Sequence, residues 1–215
     1  METVELYGKR CRILRSGEPK AHIYWPVMPD EELGKTEALL KETGKPFLIT
    51  AFDIADWNDA LSPWPAGPVF GDKGFAGNGY ETLEWMKTLA GEETELPRYI
   101  GGYSLGGLFA LLCLYETELF AGAVSGSGSF WYPGWAEYAA ERPAPRCERV
   151  LFSLGDREER SRNPDFARVG DTTRDLIRRL NEAGVYTELR MDKGGHFDRP
   201  DERMARNFAR LMEIL

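Results

Sequence analysis

Apolar residues follow two different spacings along this chain of 215 residues. Short apolar runs, such as Pro46–Phe52 and Arg149–Leu154, are typical of buried strands, whereas apolar positions three or four apart in Tyr80–Ala90 indicate a helix. Strand-like and helix-like segments succeed one another along most of the chain. This order predicts an α/β fold with a mostly parallel central sheet that helices cover on both faces.

The first part of the chain departs from this order. Val4–Tyr7 and Cys11–Leu14 flank a turn at Gly8-Lys9, so we expect the sheet to begin with an antiparallel pair. The other predicted strands are 21–27, 46–52, 98–101, 120–124, 149–154 and 185–191. The predicted helices are 29–42, 80–90, 107–115 and 163–184, followed by a last helix with the apolar stripe Met204, Phe208, Leu211 and Leu215.

The length of the chain predicts a single domain over residues 1–215. Two stretches, at about 53–79 and 129–142, are rich in aromatic residues, and we expect them as loops over the active-site end of the sheet. A long loop in a compact domain is usually functional or disordered. The aromatic side chains of the first stretch argue against disorder; they are Trp57, Trp64, Phe70 and Phe75.

Charge and cysteine content narrow the classes of partner. The chain has 27 Lys and Arg against 35 Asp and Glu, a formal net charge of −8, and no stretch that concentrates basic residues. This balance argues against a nucleic-acid partner and against an anionic membrane surface. The three cysteines, Cys11, Cys113 and Cys147, have no metal-type spacing, so we expect reduced thiols, no metal and no cofactor. With no signal peptide or membrane-spanning run visible, a cytoplasmic protein is expected.

A G-x-S-x-G pentapeptide at 102–106 is the strongest chemical signal in the sequence. The pattern also occurs by chance, but here a strand-like run precedes it and an apolar, helix-like run follows. A sharp turn between a strand and a helix holds a serine in a strained conformation with its hydroxyl exposed, and flanking glycines avoid side-chain clashes. We therefore expect Ser104 to be the nucleophile of a serine hydrolase.

Hydrolases with this turn take their other catalytic groups in the chain order serine, acid, histidine. His196 follows the last predicted strand in Gly194-Gly195-His196-Phe197 and is the candidate base, whereas His22 precedes the serine and is interpreted as structural. The acid is expected just after the strand that ends at Leu154. In many such enzymes this loop reads G-x-x-[DE], which favours Glu158 over Asp156. Glu159, or a dyad without an essential acid, remain alternatives.

Two further sets of residues are expected around the serine. The backbone N–H of Leu105 is the first predicted oxyanion donor, and Ile54, just after the strand 46–52, is the predicted second donor. Aromatic residues of the two loops are candidates for a substrate pocket, or else pack the loops against the core; they are Trp57, Trp64, Trp131 and Trp135, with Phe130 and Tyr132 beside them.

Several of these stretches resemble one branch of the α/β-hydrolases. The segments that carry the resemblance are 102–108 (GYSLGGL), 125–131 (SGSGSFW) and 194–197 (GGHF). They are similar to the nucleophile region, the segment after the following strand and the histidine loop of a branch with enterobactin and other siderophore esterases, feruloyl esterases, S-formylglutathione hydrolases and mycolyltransferases. The resemblance covers residues 45–215 and implies the α/β-hydrolase fold and hydrolysis of carboxylic esters.

Two differences from that branch leave the substrate open. Its siderophore esterases usually carry more chain, often an extra N-terminal domain, and the segment 56–64 does not match the feruloyl or formylglutathione members. The sequence therefore predicts a serine esterase that acts on a small or aryl ester through an acyl-enzyme on Ser104. An acyltransferase with the same triad and a catalytically silent binding module of the same fold are the alternatives.

Overall fold

The computed structural model describes residues 1–69, 72–91 and 95–215, so the predicted loop residue Phe70 lies outside the described residues. A sheet of eight strands forms its centre. The strands are β1 (Glu2–Leu6), β2 (Lys9–Ser16), β3 (His22–Val27), β4 (Phe47–Asp53), β5 (Arg98–Tyr103), β6 (Gly122–Gly126), β7 (Arg149–Gly155) and β8 (Tyr186–Asp192).

The strands lie in the order β1-β2-β4-β3-β5-β6-β7-β8. Strand β2 pairs antiparallel with both β1 and β4. The other neighbours, from β4–β3 to β7–β8, are all parallel. The predicted mostly parallel sheet with an antiparallel start is therefore confirmed.

Eight α-helices lie within the described ranges: α1 (Gly34–Glu42), α2 (Trp57–Leu61), α3 (Gly79–Ala90), α4 (Leu105–Glu116), α5 (Trp135–Ala140), α6 (Pro164–Ala167), α7 (Val169–Glu182) and α8 (Pro200–Ile214). A 3₁₀ turn covers Glu158–Arg160. Helices α2 and α5 are short pieces inside the two predicted loops. None of the helices in the described ranges is long and apolar enough to cross a membrane.

The first helix begins later than the predicted residue 29. The guanidinium of Arg12 donates to the carbonyl oxygens of Met28 and Glu31, and Glu31 N–H closes a turn on Met28 O. These bonds hold the chain in a turn before α1. The predicted helix 163–184 is divided at Arg168 into α6 and α7, and the predicted N-cap, Asn163, accepts the N–H of Asp165 at 2.9 Å.

The core is divided between the two faces of the sheet. In β3, alternate residues Ile23, Trp25 and Val27 pack against α1 and α8, whereas Tyr24 belongs to the cluster under α3, α4 and α7. Helices therefore cover both faces, as predicted. Because the parallel strands β5 to β8 end at one edge of the sheet, the segments that follow them, at 104, 127–129, 156–160 and 193–197, come together there.

Candidate active site

Ser104 lies at the turn between β5 and α4 in a strained backbone conformation, with φ 56° and ψ −121°. Such a conformation costs a non-glycine residue about 1–3 kcal/mol and is found at functional sites. The turn is so tight that a Cβ on Gly102 would lie 2.1 Å from the carbonyl oxygen of Gly106. A glycine is required at position 102, and the turn presents the Ser104 hydroxyl beyond the end of the strand.

Three side chains from separate loops form a chain of hydrogen bonds. The distance from Ser104 Oγ to His196 Nε2 is 2.9 Å, and the distance from His196 Nδ1 to Glu158 Oε2 is 3.0 Å. The Glu158 side chain is only 3% exposed and that of His196 is 20% exposed. A hydroxyl, an imidazole and a carboxylate that are hydrogen-bonded in this order allow a proton to pass from the serine to the histidine.

The other two candidate acids have different partners. Asp156 Oδ1 accepts the N–H of Gly194 at 2.9 Å, so this carboxylate caps the histidine loop. Glu159 forms an ion pair with Arg174 on the surface. Among the three carboxylates, Glu158 is the one that meets the imidazole of His196.

The environment of Glu158 keeps its carboxylate ionised. Burial by itself raises the pKa of Glu158, but hydrogen bonds from His196 and Ser127, the charge of His196 and the N–H of Gly155 lower this pKa to about 2. An ionised carboxylate is an acceptor only. Its Oε2 therefore accepts a hydrogen bond from the Nδ1–H of His196, and when the ring is neutral Nε2 is the acceptor that faces Ser104.

The loop that carries His196 is fixed by backbone groups. The N–H of Arg157 donates to Gly194 O at 3.1 Å, and the N–H of Gly195 donates to Asp198 Oδ2 at 2.7 Å. Gly194 has a φ of 118°, which favours glycine. The other histidine, His22, lies in β3, where its ring stacks on Tyr24 and its Nε2 is 2.7 Å from the hydroxyl of Thr50, in line with the structural interpretation.

A buried arginine that sequence reasoning missed binds the carboxylate of Glu158. Arg203 of α8 has a side chain that is 1% exposed. Its Nη2 donates to Glu158 Oε1 at 3.0 Å and to Ser127 Oγ at 2.6 Å, and Ser127 Oγ in turn donates to Glu158 Oε1 at 2.6 Å. Nε of Arg203 also lies 3.4 Å from Oδ2 of the buried Asp192. One guanidinium thus lies between two buried carboxylates.

The same arginine also holds the histidine loop. Its Nη1 donates to the hydroxyl of Tyr103 at 2.6 Å, and that hydroxyl donates to the backbone oxygen of His196 at 2.5 Å. Nη1 lies 3.3 Å from the carbonyl oxygen of Gly195 as well. Arg203 is therefore bonded, directly or through one hydroxyl, to both partners of the contact between His196 and Glu158.

Replacing Arg203 with methionine is expected to lower the free energy of unfolding by about 3–5 kcal/mol, because the carboxylates of Glu158 and Asp192 stay buried without their shared cation. Urea unfolding measures the loss. Arg206→Met is the matched control, since Arg206 also binds Asp192, at 2.9 Å, but its side chain is 49% exposed. The control is expected to lose less than about 1 kcal/mol. Equal losses in the two variants would contradict the role given to Arg203.

The two predicted oxyanion donors differ in their backbone bonding. Leu105 is the first residue of α4, so its N–H has no acceptor inside the helix, and the positive end of the helix dipole lies at this point. The prediction that Ile54 is the second donor is wrong, because its N–H donates to Val27 O at 2.8 Å and is therefore already paired with the sheet. The next residue, Ala55, is exposed, and its N–H bonds to no acceptor in the described part of the chain.

The four candidate pocket tryptophans divide into two pairs. Trp57 lies against the turn, because a Cβ on Gly106 would be 3.2 Å from its ring. Trp131 lines a cavity of about 210 Å³ together with His196, Phe166 and Phe197. Trp57 thus lies beside the serine turn, and Trp131 lies beside His196.

Trp64 and Trp135 belong to a packed cluster instead. Trp135 is 2% exposed and stacks on Tyr138, with ring centroids 5.2 Å apart. The ring of Trp64 contacts both of these rings, and its Nε1 donates to Pro133 O at 2.7 Å. The predicted substrate contact of this second pair is thus replaced by packing, which is what large aromatic side chains in a core provide. In the described residues, no group of three or more potential metal ligands is present.

Comparisons with known proteins gave no matching family model and no matching curated protein. Solved structures matched along nearly the whole chain. An IroE-like serine hydrolase from Shewanella oneidensis is 14% identical, with a TM-score of 0.76 over 95% of this chain and 76% of that chain. The siderophore hydrolase EstB from Aspergillus nidulans is 16% identical, with a TM-score of 0.70 over 99% of this chain and 94% of that chain.

A third similar structure is the enterobactin esterase FES from Shigella flexneri, which is 19% identical, with a TM-score of 0.61 over 96% of this chain and 56% of that chain. At sequence identities this low, the similarity supports a conclusion about the fold alone. The strand order and the serine turn after β5 agree with it: this chain has the α/β-hydrolase fold.

Proposed function

We propose that this protein is a serine esterase that cleaves small or aryl carboxylic esters through an acyl-enzyme on Ser104. The observation that carries the proposal is the hydrogen-bonded chain from Glu158 through His196 to Ser104, with distances of 3.0 and 2.9 Å. Structures of similar fold carry the names serine hydrolase, siderophore hydrolase and enterobactin esterase. We infer that the same class of bond, a carboxylic ester, is the substrate here.

In the proposed first step, His196 Nε2 takes the hydroxyl proton of Ser104 while Ser104 Oγ attacks the ester carbonyl carbon. The carbonyl oxygen becomes an oxyanion, which the N–H groups of Leu105 and Ala55 bind. Glu158 holds the imidazolium that forms. The bond to the alcohol oxygen then breaks, and His196 gives its proton to that oxygen, which leaves the acyl group on Ser104.

In the second step, water takes the place of the departed alcohol. His196 removes a proton from the water as its oxygen attacks the acyl carbon, and the same backbone N–H groups bind the new oxyanion. The bond from carbon to Ser104 Oγ breaks, and Oγ takes the proton back from His196. The products are the carboxylic acid and free Ser104. Neither step involves an oxidation or a reduction.

The substrate class follows from the space next to His196. The cavity of about 210 Å³ has a largely aromatic and aliphatic wall that includes Trp131, Phe166 and Val169. Arg157, Glu158 and Ser161 also line it. A volume of this size suits a short acyl chain or one aromatic ring. We therefore propose a small or aryl group on one side of the ester bond.

Incubation of the protein with p-nitrophenyl butyrate tests this proposal. We expect release of p-nitrophenol with turnover, and we expect a fluorophosphonate probe to label the peptide that contains Ser104, because Glu158 and His196 make its hydroxyl nucleophilic. Peptide mass spectrometry locates the label, and Ser104→Ala is the control. Butyrate as the product, rather than an ester of an added alcohol, separates hydrolysis from acyl transfer. A folded protein that neither turns over the ester nor takes the label would be a binding module instead.

A further inference from the structure

A second serine hydroxyl faces the nucleophile. Ser129 Oγ lies 3.3 Å from Ser104 Oγ, and Ser129 is 1% exposed. Its backbone N–H donates to the carbonyl oxygen of Ser104 at 3.1 Å, which fixes Ser129 against the turn. We propose that Ser129 is a further catalytic residue, which donates a hydrogen bond to Ser104 Oγ and stabilises negative charge there when the acyl-enzyme breaks down. This inference rests on the proposed acyl-enzyme at Ser104.

The direction of this hydrogen bond follows from the protons available. A hydroxyl has one proton to donate and two lone pairs that accept. The Nδ1–H of His196 donates a hydrogen bond to the ionised Glu158, so in the neutral ring Nε2 is an acceptor, and the hydroxyl of Ser104 donates its hydrogen bond to Nε2. The proton of Ser104 is then already used. The contact between the two serines therefore has Ser129 as donor and Ser104 Oγ as acceptor.

The hydrogen bond from Ser129 acts unequally on the two steps. In acylation it occupies a lone pair of the attacking oxygen, which lowers its nucleophilicity, but it also stabilises the charge that the oxygen gains as it loses its proton. These two effects oppose each other. With a p-nitrophenyl ester the departing phenolate is itself a stable anion, so this step needs little additional help.

Deacylation depends on the hydrogen bond more strongly, because Ser104 Oγ is then the leaving group. As the bond from the acyl carbon to Oγ breaks, its electron pair moves onto Oγ, and the proton arrives from His196. The Ser129 hydroxyl donates to this oxygen throughout and keeps its own proton, so the step stays balanced. Hydrogen bonds to a charged oxygen are about twice as strong as neutral ones.

The neighbouring Ser125 offers a matched control. It lies in the same segment and is also 1% exposed. Its hydroxyl has no hydrogen-bond partner among the described residues. Ser125→Ala and Ser129→Ala therefore remove the same buried group from the same segment, but only the second change removes a contact to Ser104. A cooperative unfolding transition in urea verifies that each variant is folded.

A single-turnover experiment with p-nitrophenyl butyrate tests the inference. Release of p-nitrophenol measures acylation, and acid quenching followed by intact mass measures the decay of the acyl-enzyme. Ser129→Ala is expected to slow deacylation about 10-fold and to change acylation less than about 3-fold, in keeping with the loss of one charged hydrogen bond. Ser125→Ala is expected to match the wild type in both steps.

Two outcomes would overturn the role of Ser129 while the wild type still forms an acyl-enzyme on Ser104. One is an unchanged deacylation rate in Ser129→Ala. The other is an equal loss in both steps, which would mean that the side chain only positions Ser104. By contrast, absence of any Ser104 adduct and of turnover in the wild type would contradict the proposed function itself, and the inference with it.

Discussion

Ser104→Ala is expected to lower kcat/KM for p-nitrophenyl butyrate about 10⁵-fold, because it removes the oxygen that carries the acyl group in the proposed mechanism. The rest of the site stays in place: Ser104 contributes its backbone to the turn, and alanine fits wherever serine fits. Initial rates across substrate concentrations measure the loss. Activity of the variant above about 1% of wild type would contradict nucleophilic catalysis by Ser104.

A second variant distinguishes a shared mechanism from two separate contributions. His196→Ala is expected to cost nearly as much as Ser104→Ala, and the double variant is expected to cost no more than either one. Groups that act as one unit give such strongly non-additive losses. If the two single losses multiplied in the double variant, Ser104 and His196 would be acting independently.

Glu158→Gln is expected to lower kcat about 10³- to 10⁴-fold, since an amide of the same shape cannot stabilise the imidazolium of His196 or fix its tautomer. Asp156→Asn is the matched control and is expected to cost less than about 10-fold, because an amide oxygen can still accept the N–H of Gly194. Steady-state kinetics of both variants measure the contrast. The reverse ranking would make Asp156 the acid, and two small losses would indicate a dyad.

Glu158→Gln also changes how stability depends on pH. The folded pKa of Glu158 is about 2, below the ordinary value of 4.5. Ionised Glu158 therefore stabilises the fold above pH 4.5, and this contribution, about 3 kcal/mol, is lost as the pH falls towards 2. In the glutamine variant no proton binds at this position. Its free energy of unfolding is expected to fall less steeply between pH 4.5 and 2, as urea unfolding at each pH can measure.

The central part of the fold was predictable from local pattern. Runs such as Arg149–Leu154 have apolar residues on both faces of a strand, and parallel strands buried on both faces require this. The late start of α1 was not predictable in the same way. It depends on the Arg12 guanidinium, which reaches the carbonyl oxygens of Met28 and Glu31 from another strand. A contact between distant segments leaves no trace in the spacing of nearby residues.

In the candidate site, too, residues in local turns were predictable from the sequence, whereas residues placed by the packing of distant segments were not. Ser104 and His196 stand in short glycine-rich turns whose spacing reflects local backbone geometry, so sequence alone singled them out. Arg203 occurs in an amphipathic helix, where an arginine ordinarily faces water, and its burial follows from how α8 packs on the sheet. A hint was present in that Arg203 directly precedes Met204, a member of the apolar stripe. Trp135 likewise carries no local sign that separates a pocket wall from a core.

The position of Arg203 in the chain has a consequence for when the site becomes complete. During synthesis, Ser104, Ser127, Glu158 and His196 all leave the ribosome before Arg203 does. Until α8 docks, the carboxylate of Glu158 lacks its buried cation and the His196 loop lacks the bond relayed through Tyr103. We therefore expect the proposed chemistry at Ser104 to begin only after α8 has packed onto the sheet.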